Sequence, residues 1–103
     1  MSQDGHGGIV IATARLPGGV AFDWHEHPVH QLAWADTGVL TVATAAGTWV
    51  LPPNRALWIP AGVRHALGSS GRAVTRSTYF RPRTYPVEWT SPTVIRVALC
   101  PKT

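Results

Sequence analysis

Apolar and polar positions alternate along most of this chain in short bursts, and Gly or Pro breaks each burst. From Val39 to Ala45, Val39, Thr41 and Ala43 alternate with Leu40, Val42 and Thr44, a two-residue period that belongs to a strand with one buried face. Reading the same punctuation along the chain predicts roughly nine short strands. They are Ile9–Leu16, Val20–His27, Gln31–Ala35, Val39–Ala45, Thr48–Leu51, Arg55–Ile59, Arg64–Leu67, Ala73–Phe80 and Val94–Leu99. Turns fall at Pro17-Gly18-Gly19, Pro28, Asp36-Thr37-Gly38, Ala46-Gly47, Pro52-Pro53-Asn54, Pro60-Ala61-Gly62, Gly68-Ser69-Ser70-Gly71 and Pro82. No segment has a helical period of useful length. Close, even spacing of short strands predicts an all-β barrel or sandwich.

Composition narrows this picture. At 103 residues the chain supports one domain, expected over 9–103 after a polar, Gly-rich tail at 1–8. Gly and Pro total 19 residues, and Val and Thr contribute 11 each, a balance that strands and turns use better than helices. The apolar share is 45% and the charged share 14%, which fits a packed domain rather than a disordered one. The net charge is +4, yet the arginines stand singly at 15, 55, 64, 72, 76, 81, 83 and 96, so no basic face for nucleic acid is indicated. Apolar runs are too short for a membrane helix, and the start MSQDGHGG has neither the basic end nor the apolar core of a secretion signal. With one cysteine, Cys100, the chain has no internal disulfide framework, and a reducing cytoplasm is the expected location.

Five histidines is a high number for this length, and their placement carries the chemistry. On an extended backbone, side chains two apart share a face, so His25 and His27 can aim at one point. Gln31 follows the Pro28 turn, and His65 opens a later strand after Pro60-Ala61-Gly62. Three imidazoles and an amide oxygen form a plausible site for a divalent transition ion of the Zn, Ni, Cu, Fe or Mn group. A His-x-His pair also serves as a hydrogen-bonded core pair or a solvated edge, so the pair alone does not decide between these roles. His30 is out of phase with the pair and His6 falls in the tail; both are placed outside the site.

The offsets decide more than the residue types. Gly19, His25, His27, Gln31 and Gly38, followed by Pro60, Gly62 and His65, resemble both halves of the cupin signature. Three positions depart from it: Gln31 stands for Glu, Asn54 for a turn Gly that Asn can replace by tolerating positive φ, and Ser69 for Asn. Only the first touches the chemistry. With an amide in place of a carboxylate, the full +2 of an ion stays uncompensated, so binding should be weaker or should favour an anion in an open position. The flanking runs His25-Glu26-His27-Pro28-Val29-His30-Gln31-Leu32-Ala33-Trp34 and Arg55-Ala56-Leu57-Trp58-Ile59-Pro60-Ala61-Gly62-Val63-Arg64-His65, with Ser77-Thr78-Tyr79-Phe80-Arg81-Pro82, resemble the N-terminal effector-binding cupin of AraC-type transcription regulators. That resemblance implies a small jelly-roll barrel that takes a small-molecule effector and pairs as a homodimer. No helix-turn-helix pattern occurs in these residues, so direct DNA binding by this chain alone is not expected.

The five tryptophans supply large apolar rings for a small core or a dimer interface. Trp34, Trp49 and Trp58, with Arg64 beside His65, are the candidates to line an effector pocket. The alternative function is a small metal-dependent enzyme, of dioxygenase or isomerase type, at a His3Gln centre. Such an enzyme needs a proton-transfer group, and the chain has only five acids. Among them Asp23, in phase with His25, is the one attractive candidate, and that scarcity favours a sensor over a catalyst.

Overall fold

The computed structural model describes residues 10–18, 23–84 and 89–96. Eight strands run in chain order: β1 (Val10–Leu16), β2 (His30–Thr37), β3 (Leu40–Thr44), β4 (Gly47–Leu51), β5 (Arg55–Ile59), β6 (His65–Ser69), β7 (Ala73–Phe80) and β8 (Thr93–Arg96). Among the described residues there is no helix, and so none long and apolar enough to cross a membrane. The strands form a five-stranded sheet in the order β1-β7-β2-β5-β8 and a three-stranded sheet in the order β4-β3-β6. Each of these strand pairings is antiparallel. This is the all-β architecture that the strand spacing predicts, in the jelly-roll form that the cupin resemblance implies.

The core follows from the two-residue period. Leu40, Val42 and Thr44 of β3 point inward and are buried, whereas Thr41 and Ala43 between them are only partly so. On β2 the inward set is Gln31, Ala33 and Ala35. Ala33, Ala35, Leu40, Val42, Leu51, Leu57 and Ile59 meet between the sheets as one apolar cluster, with Trp49, Val63 and Leu67 packed against it. The β2–β3 turn holds its shape through Gly38, whose φ is +80°. A Cβ there would sit 2.8 Å from the Ala73 Cα and collide with the Arg72 carbonyl, so only Gly fits.

Three expectations are corrected. The strand expected at Val20–His27 is not formed over its described part, 23–27. Pro28 has no N–H and ends the segment, which keeps a single two-way bridge between His25 and His65, with both N···O distances 2.9 Å. The turn at Asn54 does not need a left-handed residue, because no non-glycine described residue has positive φ; the Arg55 N–H bonds the Pro52 carbonyl at 2.9 Å instead. β2 begins at His30 rather than Gln31 and runs to Thr37. The expected tail at 1–8, Ile9, the stretch 97–99 of the last strand, and Cys100 lie outside the described residues.

Candidate metal centre

Four polar side chains meet at one end of the barrel, from the buried Gln31 and His65 through the half-buried His27 to the exposed His25, and each arrives on a different logic. Gln31 is an inward residue of β2, opposite Ile59 of β5 and Tyr79 of β7. His65 is the first residue of β6, on the inward face opposite Thr44. His25 is fastened to His65 by the bridge, and His27 follows two residues on, on the same side of the extended segment. The donor atoms of His25, His27 and His65 all lie within 4.8 Å of one another. Their ring centroids are 4.3 Å (His25–His65), 5.1 Å (His27–His65) and 5.7 Å (His25–His27) apart.

The backbone fixes which nitrogen faces the centre. His25 Nδ1 lies 3.0 Å from the Asp23 carbonyl, His27 Nδ1 3.0 Å from the Val29 carbonyl, and His65 Nδ1 2.8 Å from the Val63 carbonyl. A carbonyl oxygen only accepts, so each Nδ1 carries its hydrogen and each neutral ring keeps its lone pair on Nε2. All three rings therefore use the same tautomer, oriented by main-chain groups as metal-ligating imidazoles are. His65 is fully buried, and its Nε2 has no hydrogen-bond partner. An orphaned acceptor at that depth is costly unless something electropositive sits against it.

Gln31 sharpens the fit. Its Oε1 is 2.9 Å from His27 Nε2, while its Nε2 donates to Ser77 Oγ at 2.8 Å. That distance puts the amide group of Gln31 beside the imidazole nitrogens, where its oxygen is placed to serve as a fourth ligand of one ion. Burial pushes the His65 pKa below its ordinary value, and the charges of nearby His25 and His27 push it the same way, against the opposing pull of the Val63 carbonyl. Loss of the proton at neutral pH is what ligation requires.

Other residues expected at the site are placed elsewhere. Trp34 and Trp58 occupy the outer face of the five-stranded sheet, because they are out of phase with the inward Gln31, Ala33, Leu57 and Ile59. Trp34 Nε1 donates to Asp36 at 3.3 Å, and Trp58 packs between His30 (5.0 Å) and Phe80 (5.6 Å). Trp49 rests against the core cluster. Arg64 alternates with His65 to the exposed outside, where its guanidinium lies 5.8 Å from the Trp24 ring centre. Asp23 is exposed and serves His25 through its main-chain oxygen. His30 is buried, with its Nδ1 accepting the Ala61 N–H at 3.0 Å, so it is structural. Sequence reasoning missed Ser77 and Tyr79. Ser77 holds the Gln31 amide, and Tyr79 stands edge-on to His27 at 5.4 Å. The two-residue spacing Ser77/Tyr79 on a strand was the available signal.

Residues 6–98 match the family described as the AraC-like ligand binding domain. The chain belongs to that family. As an AraC-like ligand-binding domain it is 30% identical over 76 residues to the HTH-type transcriptional regulator NimR of Escherichia coli (strain K12). That match covers 74% of this chain and 28% of NimR, so the domain spans little more than a quarter of its relative's length. Its fold is similar to a cupin-2 domain containing protein from Shewanella frigidimarina, with TM-score 0.63, 22% identity and 71% of each chain covered. It is also similar to unsaturated fatty acid bound ToxT from Vibrio cholerae, with TM-score 0.67, 5% identity, and 87% of this chain and 41% of ToxT covered. At such identities the likeness is one of fold, and that fold is the cupin barrel.

Proposed function

We propose that this AraC-like ligand-binding domain is a metal-dependent sensor, in which His25, His27, His65 and Gln31 hold one divalent transition ion and a small effector binds beside it. The observation that carries the reading is the shared orientation: each of the three rings turns Nδ1 to a main-chain carbonyl, their donor atoms lie within 4.8 Å of one another, and the deepest Nε2, that of His65, has no hydrogen-bond partner. An ion of the Zn, Ni, Cu, Fe or Mn group bound there would supply a Lewis-acidic centre for an oxygen-bearing ligand. The protein's own part is to orient the rings through main-chain carbonyls, to hold the Gln31 amide through Ser77, and to keep His65 neutral by burial. A sensor is favoured over an oxygenase or isomerase because, among the described residues, no carboxylate groups with the three histidines. An effector for this domain is also supported by ToxT, whose structure holds a fatty acid in a protein of the same fold.

Titration calorimetry tests the reading. The parent chain is expected to bind one Ni(II) or Zn(II) per chain, and His27→Ala to bind at least about 100-fold more weakly through loss of one of three strong ligands. Gln31→Glu is expected to bind more tightly, because a carboxylate compensates half of the missing charge. Equal binding by His27→Ala, or no gain with Gln31→Glu, contradicts the site. We further propose that the domain acts as a cytoplasmic homodimer that leaves DNA reading to another element, since the described residues include neither a helix to enter a groove nor a basic run. Sedimentation at micromolar concentration is expected to give the mass of two chains, and a monomer alone contradicts that part.

A further inference from the structure

A cavity of about 170 Å³ opens inside the barrel against the histidine cluster, lined by Ala12, Ala14, Leu67, Thr75, Ser77 and Tyr79, together with Thr13 and His25. From its position, its charge and its size, we infer that this chamber is selective for a small monocarboxylate, whose charge completes the metal centre. The inference rests on the proposed metal site and names the ligand class that site would take.

The four ligands are three neutral imidazoles and an amide, so they leave the whole +2 of the ion uncompensated. Nor does the wall compensate it, because no Asp or Glu is among its described residues. His65 and Gln31 bury one side of the ion's locus while His25 is exposed on the other, so the deficit is met most directly by an anion entering from the open side through the cavity. With no Lys or Arg among the described wall residues, an anion meets no opposite charge there unless the ion is present, and neutral hydroxyls alone hold it weakly. Uptake of the carboxylate should therefore depend on metal.

Position and size then select among anions. His25 belongs both to the cluster and to the cavity wall, so a ligand in the chamber lies directly against the ion's locus. Ser77 and Tyr79, which already touch Gln31 and His27, put hydroxyl groups on the same wall, with Thr75 beside them. These suit an oxygen substituent near the carboxylate, while Ala12, Ala14 and Leu67 suit its apolar remainder. At about 170 Å³ the chamber suits a small acid, whereas a phenyl-bearing acid would extend past the exposed Ala12, Thr13 and His25 into solvent.

The probes are pyruvate, its neutral isostere pyruvamide, and benzoate, titrated into the Ni(II)-loaded and the metal-free domain by calorimetry and by the visible spectrum of bound Ni(II). Pyruvate is expected to bind the loaded domain and shift the spectrum. Pyruvamide and benzoate should bind at least about tenfold more weakly, and the metal-free domain should bind none of the three. Gln31→Glu is expected to separate the two affinities, binding Ni(II) more tightly but pyruvate about tenfold more weakly, because it supplies internally the charge that the ligand brings. Ala14→Leu, at a half-exposed strand position whose added bulk enters the chamber, should weaken pyruvate while leaving Ni(II) affinity unchanged. If the parent takes up no Ni(II), the metal reading itself fails. If Ni(II) binds but pyruvamide binds as well as pyruvate, or Gln31→Glu leaves pyruvate affinity unchanged, the metal site stands and the carboxylate inference is overturned.

Discussion

The two ends of the barrel interior are built from the same strands and are stabilised in different ways. Toward one end, Ala33, Ala35, Leu40, Val42 and Leu57 interlock without a polar atom among their side chains. Two residues before Ala33 on β2, and at the start of β6, the inward positions change to Gln31 and His65, with Thr44 opposite His65 and Tyr79 opposite Gln31. The first end gains free energy from removing apolar surface from water, at roughly 25 cal/mol per Å². The second buries groups that prefer water and holds them with main-chain and Ser77 hydrogen bonds, so its net contribution to stability is small. The comparison separates the part of the sequence that makes the barrel from the part that makes it useful.

Substitutions at the two ends should therefore fail differently. Leu57→Ala leaves a cavity in the fully buried apolar end and is expected to lower unfolding free energy by about 2–5 kcal/mol in urea denaturation. The molecules that remain folded should keep their one-ion stoichiometry. His27→Ala should show the reverse: a change of no more than about 1 kcal/mol without metal, and loss of the stabilisation that added Ni(II) gives the parent. Equal destabilisation by both substitutions in the absence of metal would erase the distinction.

A smaller effect is expected from pH. Burial lowers the pKa of both His65 and His30, so the native state holds protons on these rings less readily than the unfolded chain does. A base with a lowered native pKa contributes stability that is fully present above the unfolded value, about 6.5, and is lost as pH falls from there through the native value. Stability measured by denaturation should thus drop on acidification below about pH 6.5, before most carboxylates titrate. His30→Phe, which replaces one ring, should flatten part of that drop; an unchanged slope would show that His30 does not contribute.

Much of this was legible in the sequence, for reasons that can be named. β5 was read with its observed bounds because Pro53-Asn54 and Pro60 punctuate it on both sides, and β7 because Gly71 and Pro82 do. His25, His27 and His65 were legible because ligand spacing on extended backbone is a local property. The segment 23–27 was misread as a strand because alternation reports an extended chain, not whether a partner lies alongside, and His25 has only the one bridge. Which tryptophan rings face inward was not legible for a related reason. Sequence does not say which face of a two-sided sheet points inward, and here both faces of β5 are buried, Leu57 and Ile59 within and Ala56 and Trp58 without. The pairing of Gln31 with Ser77 spans 46 residues and depends on the register of β2 against β7, which no local pattern encodes.

The central claim is that three imidazoles and one amide share a single ion, and the most direct measurement is an anomalous difference map from crystals of the Ni(II)-loaded domain. The account predicts one peak per chain, about 2.0–2.2 Å from Nε2 of His25, His27 and His65 and from Oε1 of Gln31. A peak bonded to fewer than three of those histidines, or ligated through Nδ1, would contradict it.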